Sequence, residues 1–246
     1  MEDQKETIEK IRLLIRDSNR IVVMIGVGAV IESGGENLWS SRECYRIEEA
    51  YHKSPDEMMS VGYYSARSER FFDFYKREIL GPRLTPAPLF KYVKRLQKTG
   101  KIRKIITQSY YDLSEQAGLR DVVALHGTIK NNHCTHCGKE FSVDYIRESS
   151  GVPICDDCKA PIRPGILLLG ETIHNDLMTE AVNACEEADL ILVLGTNMND
   201  NMVRYCTGNY EAEHIVLITK EEHYSDKYAD IVLHGIVSET LPLVID

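Results

Sequence analysis

Four cysteines in the middle of the sequence have the spacing of a metal site. Cys134 and Cys137 form one Cys-x-x-Cys pair, and Cys155 and Cys158 form a second pair after seventeen intervening residues. Two such pairs can supply four thiolates to one tetrahedral zinc ion. Since four thiolates leave no open coordination position, the sequence predicts a structural zinc. The alternative is four free thiols, which the paired spacing disfavours.

Two glycines near the amino terminus could bring the backbone close to a phosphate group. Gly26 and Gly28 follow an apolar run that begins at Ile21. A strand that turns through Gly-x-Gly lets backbone N–H groups approach a pyrophosphate. The third glycine of the dinucleotide fingerprint falls at Ile31 and is absent. The turn is therefore compatible with a nucleotide site and equally with an ordinary tight turn.

His126 is the candidate for proton transfer. It stands at the end of the apolar run 122–127, and imidazole is the side chain that titrates near neutral pH. Gln108 and Glu171 also stand at the ends of apolar runs, where capping or hydrogen bonding is the simpler role for each. The sequence thus offers one candidate base and two further polar residues at strand ends.

Short apolar segments alternate with helical patterns along the chain. The segments are too short for helices and fall at 21–26, 104–108, 122–127, 165–171, 190–196, 214–219 and 230–235. Helical periodicity separates several of them, as at 88–100 and 174–188. Strands that are apolar on both faces and alternate with helices predict a parallel sheet covered on both sides. Ligands bind such sheets outside the carboxyl ends of the strands.

Two stretches interrupt this alternation. Residues 34–87 are polar and aromatic, and residues 128–164 contain the paired cysteines. We predict an α/β fold with a parallel, Rossmann-like nucleotide-binding sheet and a small zinc-binding lobe with a helical insertion. The predicted nucleotide-binding domain comprises 1–33, 88–127 and 165–246, and the predicted small lobe comprises 34–87 and 128–164.

Composition narrows the class of protein. The net charge of −9 argues against a general nucleic-acid binder, which presents a basic face. No apolar run approaches the ~20 residues of a membrane span. The charged, helical amino terminus is unlike a signal peptide. We therefore predict a cytoplasmic protein with neither nucleic-acid nor membrane partners, in which cysteines stay reduced or bind metal.

Taken together, the motifs resemble the sirtuins, a family of NAD-dependent protein-lysine deacylases. The matching stretches run in order along nearly the whole chain: IGVGAVIESGG, IITQSYYDLSEQAG, LHG, the four cysteines, IRPGILLLGE, LGTN and LITKEE. The resemblance implies transfer of an acyl group from lysine to ADP-ribose with release of nicotinamide. It also implies NAD and zinc as cofactors and an acylated-lysine protein or peptide as partner.

The resemblance assigns roles to residues by position. His126 is the implied catalytic base, which activates the nicotinamide ribose. The implied NAD contacts are Gly26, Val27, Gly28, Glu32, Ser33, Gly34, Gln108, Gly195 and Thr196. The implied peptide-binding residues, which pair edge-to-edge with the substrate by strand addition, are Gly165, Ile166, Leu167, Leu168 and Leu169.

Several positions depart from the family pattern. Residues 35–39 replace a family segment that carries an aromatic over the reacting ribose and an arginine beside it, and Trp39 and Arg42 are the nearest substitutes. Ser109 and Tyr111 replace an asparagine and an aspartate of the nicotinamide pocket. Near-attack positioning can supply ~7–11 kcal/mol of rate enhancement. We therefore predict that nucleotide binding persists while catalysis is weak or absent.

Three hypotheses remain open from the sequence. The favoured one is a divergent NAD-dependent deacylase of weak activity, or a related NAD-consuming ADP-ribosyl transferase, that uses His126. The second is a sirtuin-like pseudoenzyme that binds NAD or ADP-ribose. The third is a zinc-stabilised interaction module that binds no nucleotide.

Overall fold

A computed structural model describes residues 2–208 and 214–245 of the chain. Its strands are short, and several follow the predicted apolar runs. In chain order they are β1 (Ile21–Ile25), β2 (Ile102–Thr107), β3 (Val122–Ala124), β4 (Asn132–Cys134), β5 (Glu140–Phe141), β6 (Ile162–Arg163), β7 (Leu190–Leu194), β8 (Ile215–Thr219) and β9 (Ile231–His234).

Helices fill most of the chain between the strands. In chain order they are α1 (Glu2–Asp17), α2 (Val27–Glu32), α3 (Ser41–Tyr51), α4 (Pro55–Met58), α5 (Val61–Ala66), α6 (Ser68–Phe74), α7 (Pro88–Gln97), α8 (Leu113–Gln116), α9 (Val143–Glu148), α10 (Asn175–Glu186), α11 (Asn201–Thr207) and α12 (Val237–Ile245). Helix α6 continues as a π-helical turn over Tyr75–Ile79. None of the helices in the described part of the chain combines the length and apolarity that crossing a membrane requires.

The central sheet is parallel, as predicted. Six strands lie in the order β3-β2-β1-β7-β8-β9, and every residue of β1 and β7 is buried. Alternate residues of β1 face opposite sides, so that Val23 packs with α1, α7 and α12 while Met24 packs with α10 and α11. Two helical layers therefore cover the sheet, and its carboxyl edge carries the loops that follow β1, β2, β3 and β7.

The predicted helical insertion consists of short, capped helices. The hydroxyl groups of Ser40, Ser54 and Ser60 accept hydrogen bonds from the N–H groups three residues later, at the starts of α3, α4 and α5. Buried aromatic residues of α6 then pack with the small antiparallel sheet β5-β4-β6 in one cluster. This cluster is separate from the two that cover the central sheet. The predicted division into two domains stays a prediction that these separate clusters support.

The segment 165–171 lies outside the central sheet, so its prediction as a sheet strand is wrong. Within the described part of the chain it makes single bridges, from Ile166 to Gly127 and from Leu169 to Ser60. Ile166 and Leu168 are buried in the cluster of the small lobe. The apolar run therefore reflects packing against that lobe and not a place among the parallel strands.

Candidate functional site

Two glycines hold the carboxyl ends of β1 and β7 together. The N–H of Gly26 donates to Leu194 O at 2.9 Å, and the N–H of Gly28 donates to Gly195 O at 2.7 Å. A Cβ on Gly28 would lie 2.8 Å from the Cα of Gly195, and Gly195 itself has a φ of +66°. Close packing of helix α2 on the loop after β7 therefore requires these glycines, whether or not a ligand is bound.

The two glycines of the Gly-x-Gly turn therefore serve the packing of α2 and do not themselves donate to a phosphate. Since the N–H groups of Gly26 and Gly28 bond to the protein, they are not the free phosphate donors that the sequence pattern suggested. Val27 is the first residue of α2, where an N–H has no intrahelical partner. The residue is 40% exposed and lies at the same edge of the sheet. Val27 is therefore the residue of this turn whose N–H and side chain are available to a ligand.

Glu32 and Ser33 are engaged within the protein. Glu32 Oε1 accepts from the N–H of Val237 at 2.9 Å, and Glu32 Oε2 accepts from the N–H of Ser238 at 2.9 Å. The Ser33 hydroxyl donates to Ala29 O at 2.6 Å and accepts from the N–H of Ala87. Both side chains fix α2 to neighbouring segments, so a direct contact of either with a nucleotide is not what their geometry favours.

His126 lies in a turn just after β3 and is mostly buried. Burial lowers its pKa from the ordinary 6.5, while the negative charge of Asp200 and a hydrogen bond with the Gln108 backbone partly oppose that shift. The imidazole is therefore mainly neutral at pH 7, the form that accepts a proton. Gln108 and His126, which are 18 positions apart in the sequence, are thus neighbours at the carboxyl edge of the sheet.

Asp200 is a site residue that the sequence reasoning missed. Its Oδ2 accepts from the Thr196 hydroxyl at 3.1 Å, and its Oδ1 accepts from the N–H of Met202 at 2.9 Å. It therefore caps α11 and fixes the loop that carries Gly195. An aspartate just before a helical pattern signals such a cap, but only the fold brings its charge near His126.

Tyr111 fills space between the lobes. It packs against both the cluster on the central sheet and the cluster of the small lobe, and its ring centroid lies 4.8 Å from that of Tyr110. Burial raises the pKa of Tyr111 to about 12, so the phenol stays protonated. Ser109 donates its N–H to Thr107 Oγ1, and its own hydroxyl accepts from the N–H of Tyr111. Ser109 and Tyr111 thus belong to a turn that is stabilised by hydrogen bonds within residues 107–111.

The candidate peptide segment pairs along one of its edges. Leu167 donates its N–H to His126 O at 2.8 Å, and Thr128 donates to Gly165 O at 3.0 Å. Farther along, Leu169 donates to Met59 O at 3.0 Å. The segment is therefore joined to the His126 turn at one end and to the end of α4 at the other.

The opposite edge of this segment meets side chains. Glu171 Oε2 accepts from the N–H of Leu168 at 2.7 Å, and Arg163 donates to Ile166 O at 3.4 Å. Arg163 and Glu171 also form an ion pair at 2.6 Å. On this edge the carbonyl of Ile166 and the N–H of Leu168 therefore both have side-chain partners. Strand addition at residues 165–169 stays a prediction.

Trp39 and Arg42 contact acidic residues of the helical insertion. The indole N–H of Trp39 donates to Asp56 Oδ1 at 2.6 Å, which ties Trp39 to α4. The guanidinium of Arg42 lies 3.7 Å from Glu43, and the Arg42 side chain is 84% exposed. Both side chains are therefore engaged with acidic residues of the helical insertion, and their roles as substitutes stay a prediction.

The four paired cysteines converge, as their spacing predicted. Their sulfur atoms all lie within 4.8 Å of one another, and Cys134 Sγ is 3.3 Å from Cys158 Sγ. Tetrahedral zinc with ~2.3 Å Zn–S bonds requires sulfur separations of about 3.8 Å, so the donor set fits zinc. The separations exceed the length of a disulfide bond. The remaining cysteines, Cys44, Cys185 and Cys206, lie outside this group.

Comparison with known proteins agrees with this arrangement. A sequence profile described as the Sir2 family matches residues 26–201. The chain is 30% identical over 246 residues to an NAD-dependent protein deacetylase of Clostridium tetani, covering 98% of each chain. It is 28% identical over 245 residues to a protein of the same name from Clostridium perfringens, covering 98% of this chain and 99% of that one.

Solved structures are also similar to this chain over nearly its whole length. One of Sir2 with a p53 peptide and NAD+ has a TM-score of 0.83 and 26% sequence identity, covering 96% of each chain. Another, described as Sir2 bound to acetylated peptide, has a TM-score of 0.82 and 25% identity over 96% of each chain. The similarity therefore includes both the sheet and the small lobe.

Proposed function

Since this chain belongs to the Sir2 family, we propose that it is an NAD-dependent protein-lysine deacylase. It transfers an acyl group from lysine to ADP-ribose and releases nicotinamide. The relatives named NAD-dependent protein deacetylase and the Sir2 structures with peptide and NAD+ support this function.

One observation of this chain carries the proposal. His126, held neutral by burial, is joined through its backbone carbonyl to the candidate peptide segment at Leu167. A base for a ribose hydroxyl and an edge for the acylated peptide are thus parts of one turn. General-base catalysis needs this kind of fixed position relative to the substrate.

NAD, when bound, supplies the ribose that takes the acyl group and the nicotinamide that leaves. We propose that its binding wall is the carboxyl edge of the sheet, formed by Gly26, Val27, Gly28, Gly34, Gln108, Gly195 and Thr196. Glu32 and Ser33 contribute by fixing α2 behind this wall. His126 accepts the proton of a ribose hydroxyl, and Asp200 opposes the fall in its pKa that burial causes.

The acylated peptide is the second substrate. We propose that an extended acyl-lysine peptide runs along residues 165–169. Zinc bound by Cys134, Cys137, Cys155 and Cys158 has a structural role, because four thiolates complete its coordination.

A second candidate function is nucleotide binding with little or no turnover. Ser109 and Tyr111 favour it, because the Ser109 hydroxyl is used locally and the phenol of Tyr111 occupies space between the lobes. Cleavage of the nicotinamide–ribose bond depends on tight positioning of the substrate, and these replacements change its surroundings. We therefore expect slow turnover compared with a typical enzyme of the family.

Mass spectrometry of nicotinamide release separates the two functions. The protein is incubated with NAD and an acetyl-lysine peptide, and His126→Ala is measured in parallel. Nicotinamide and deacetylated peptide formed in equal amounts, and lost in His126→Ala, are expected of a deacylase. As a control, calorimetry should give nearly the same ADP-ribose affinity for both proteins. ADP-ribose binding without nicotinamide release would leave the second candidate function.

A further inference from the structure

Asn132 is a polar residue with no exposed surface, which is unusual for asparagine. It begins strand β4 of the small antiparallel sheet. Its Nδ2 donates to Ile129 O at 2.7 Å and to Phe141 O at 3.3 Å, and its Oδ1 accepts from the N–H of Gly165 at 3.3 Å. One buried amide thus joins β5, the loop that follows His126 and the start of the candidate peptide segment.

Gly165 is held through both of its backbone polar groups. Its N–H donates to Asn132, and its carbonyl accepts from the N–H of Thr128 at 3.0 Å. A Cβ at this position would lie 2.5 Å from Thr128 O and 2.5 Å from the carbonyl carbon of Asn131, so only glycine fits this close to the loop. The start of the peptide segment therefore packs directly on the backbone of residues 128–131.

The same contact sets the position of the segment relative to His126. Thr128 bonds to Gly165, and two residues farther along the N–H of Leu167 donates to His126 O, in antiparallel register. A displacement of Gly165 would therefore displace Leu167 and the His126 carbonyl that it holds. Asn132 reaches the turn of His126 through Gly165 and not by direct contact.

An amide is the side chain that suits this position, because it carries two donors and an acceptor. The carbonyl of Ile129 and the N–H of Gly165 both use it. Removal of the amide would take these partners away inside a buried region, where an unpaired polar group is more costly than at the surface. The loop and the segment would then lose the contact that fixes their separation.

We propose that Asn132 is a positioning residue for the acyl-lysine peptide, because it fixes Gly165 and the following segment against the turn that carries His126. This inference rests on the deacylase function proposed above. Asn132 also shares strand β4 with Cys134, so it joins the four-cysteine group to the substrate segment. The proposed nucleotide wall lies on the central sheet, so the effect should be on the peptide and not on the nucleotide.

A comparison of the two substrates tests this role. In Asn132→Ala, both the KM for an acetyl-lysine peptide and the Kd of a labelled acetyl-lysine peptide, from fluorescence anisotropy, should rise about tenfold. The KM for NAD and the affinity for ADP-ribose should stay nearly unchanged. Asn131→Ala, at the exposed neighbouring asparagine, is the matched control and should change none of these values. Bound zinc is measured in each preparation to show that the thiolate group is intact.

Asn132→Asp gives a readout that a simple loss of packing would not. A neutral carboxyl group can both donate and accept, whereas a carboxylate only accepts. Since burial raises the pKa of an aspartic acid, peptide affinity in this variant should increase between about pH 8 and about pH 5.5. The wild type contains every other titrating group and should not show this gain. If Asn132→Ala does not fold, this pH series still tests the role.

The outcomes separate this inference from the proposed function. Unchanged peptide affinity in Asn132→Ala, an equal loss of peptide and ADP-ribose affinity, no pH effect in Asn132→Asp, or no peptide binding by the wild type would overturn the positioning role. Nicotinamide release by the wild type reports on the deacylase independently. Release with a peptide affinity that does not depend on Asn132 rejects the positioning role alone. A dependence on Asn132 without release supports the positioning role and rejects the deacylase.

Discussion

The pKa of His126 is set by burial and by two contacts, with Asp200 and the Gln108 backbone, that oppose the effect of burial. Burial is the largest influence and lowers the pKa below the ordinary 6.5, while the charge of Asp200 opposes it. On acidification, kcat/KM for nicotinamide release should therefore decline with a midpoint below 6.5, because protonated imidazole cannot act as a base. Asp200→Asn removes the opposing charge, so its midpoint should lie lower still. A wild-type midpoint above 6.5, or an upward shift in Asp200→Asn, would contradict this account.

Glu32 is a second residue whose role is set by its partners. Glu32→Ala leaves the N–H groups of Val237 and Ser238 without their acceptor at the start of α12, and should cost about 1–3 kcal/mol of unfolding free energy. Urea denaturation measures the change. Glu36→Ala, at an exposed residue of the same loop region, is the control and should change stability by less than ~0.5 kcal/mol. Equal stability of the two variants would show that the cap is unimportant.

At the scale of elements, the contact between α2 and the loop after β7 joins two strands of the sheet at the proposed nucleotide wall. Gly28→Ala places a Cβ 2.8 Å from Gly195 Cα, and both sides of the contact are backbone. We expect a loss of about 1–3 kcal/mol in unfolding free energy together with weaker ADP-ribose binding. Calorimetric titration and urea denaturation measure both effects.

A matched glycine lies in α5. A Cβ on Gly62 meets only the Ser60 hydroxyl oxygen, at 3.9 Å. Because alanine favours helix, Gly62→Ala should leave stability unchanged or raise it by up to ~1 kcal/mol. If Gly28→Ala and Gly62→Ala have the same stability and the same ADP-ribose affinity, the close packing of α2 does not determine the geometry of the nucleotide wall.

At the scale of the whole molecule, the zinc group and the peptide segment share one core. Cys155 is buried in the cluster that also contains Ile166 and Leu168. Cys155→Ser should lose about one equivalent of zinc and lower the melting temperature by roughly 5–10 °C, because metal binding contributes to folding. Peptide affinity should fall more than ADP-ribose affinity, since the nucleotide wall lies on the central sheet.

Cys44→Ser is the control for this change. Cys44 lies outside the four-cysteine group, and its thiol donates to Leu38 O at 3.6 Å. The Cys44→Ser variant should bind as much zinc as the wild type. Its melting temperature should lie within roughly a few degrees of the wild-type value. Less than about half an equivalent of zinc in the freshly purified wild type, with no gain on addition, would exclude the structural zinc site.

The sequence by itself determined the features that depend on local spacing and hydrophobic period. The two Cys-x-x-Cys pairs predicted the four-thiolate group, because a tetrahedral site needs only short-range spacing within each pair. Apolar runs that alternate with helical patterns predicted the parallel sheet, because strands buried on both faces must be apolar throughout. The family motifs, which are also local, led to the Sir2 family.

Only the tertiary structure decided features that depend on contacts between distant residues. The run 165–171 had the composition of a sheet strand, yet it lies between the His126 turn and α4, because a buried apolar segment looks the same in either place. Glu32 belongs to the cap of α12, and its partners Val237 and Ser238 are more than 200 positions away. Asp200 raises the pKa of His126 because the parallel sheet brings the loops after β3 and β7 to the same edge.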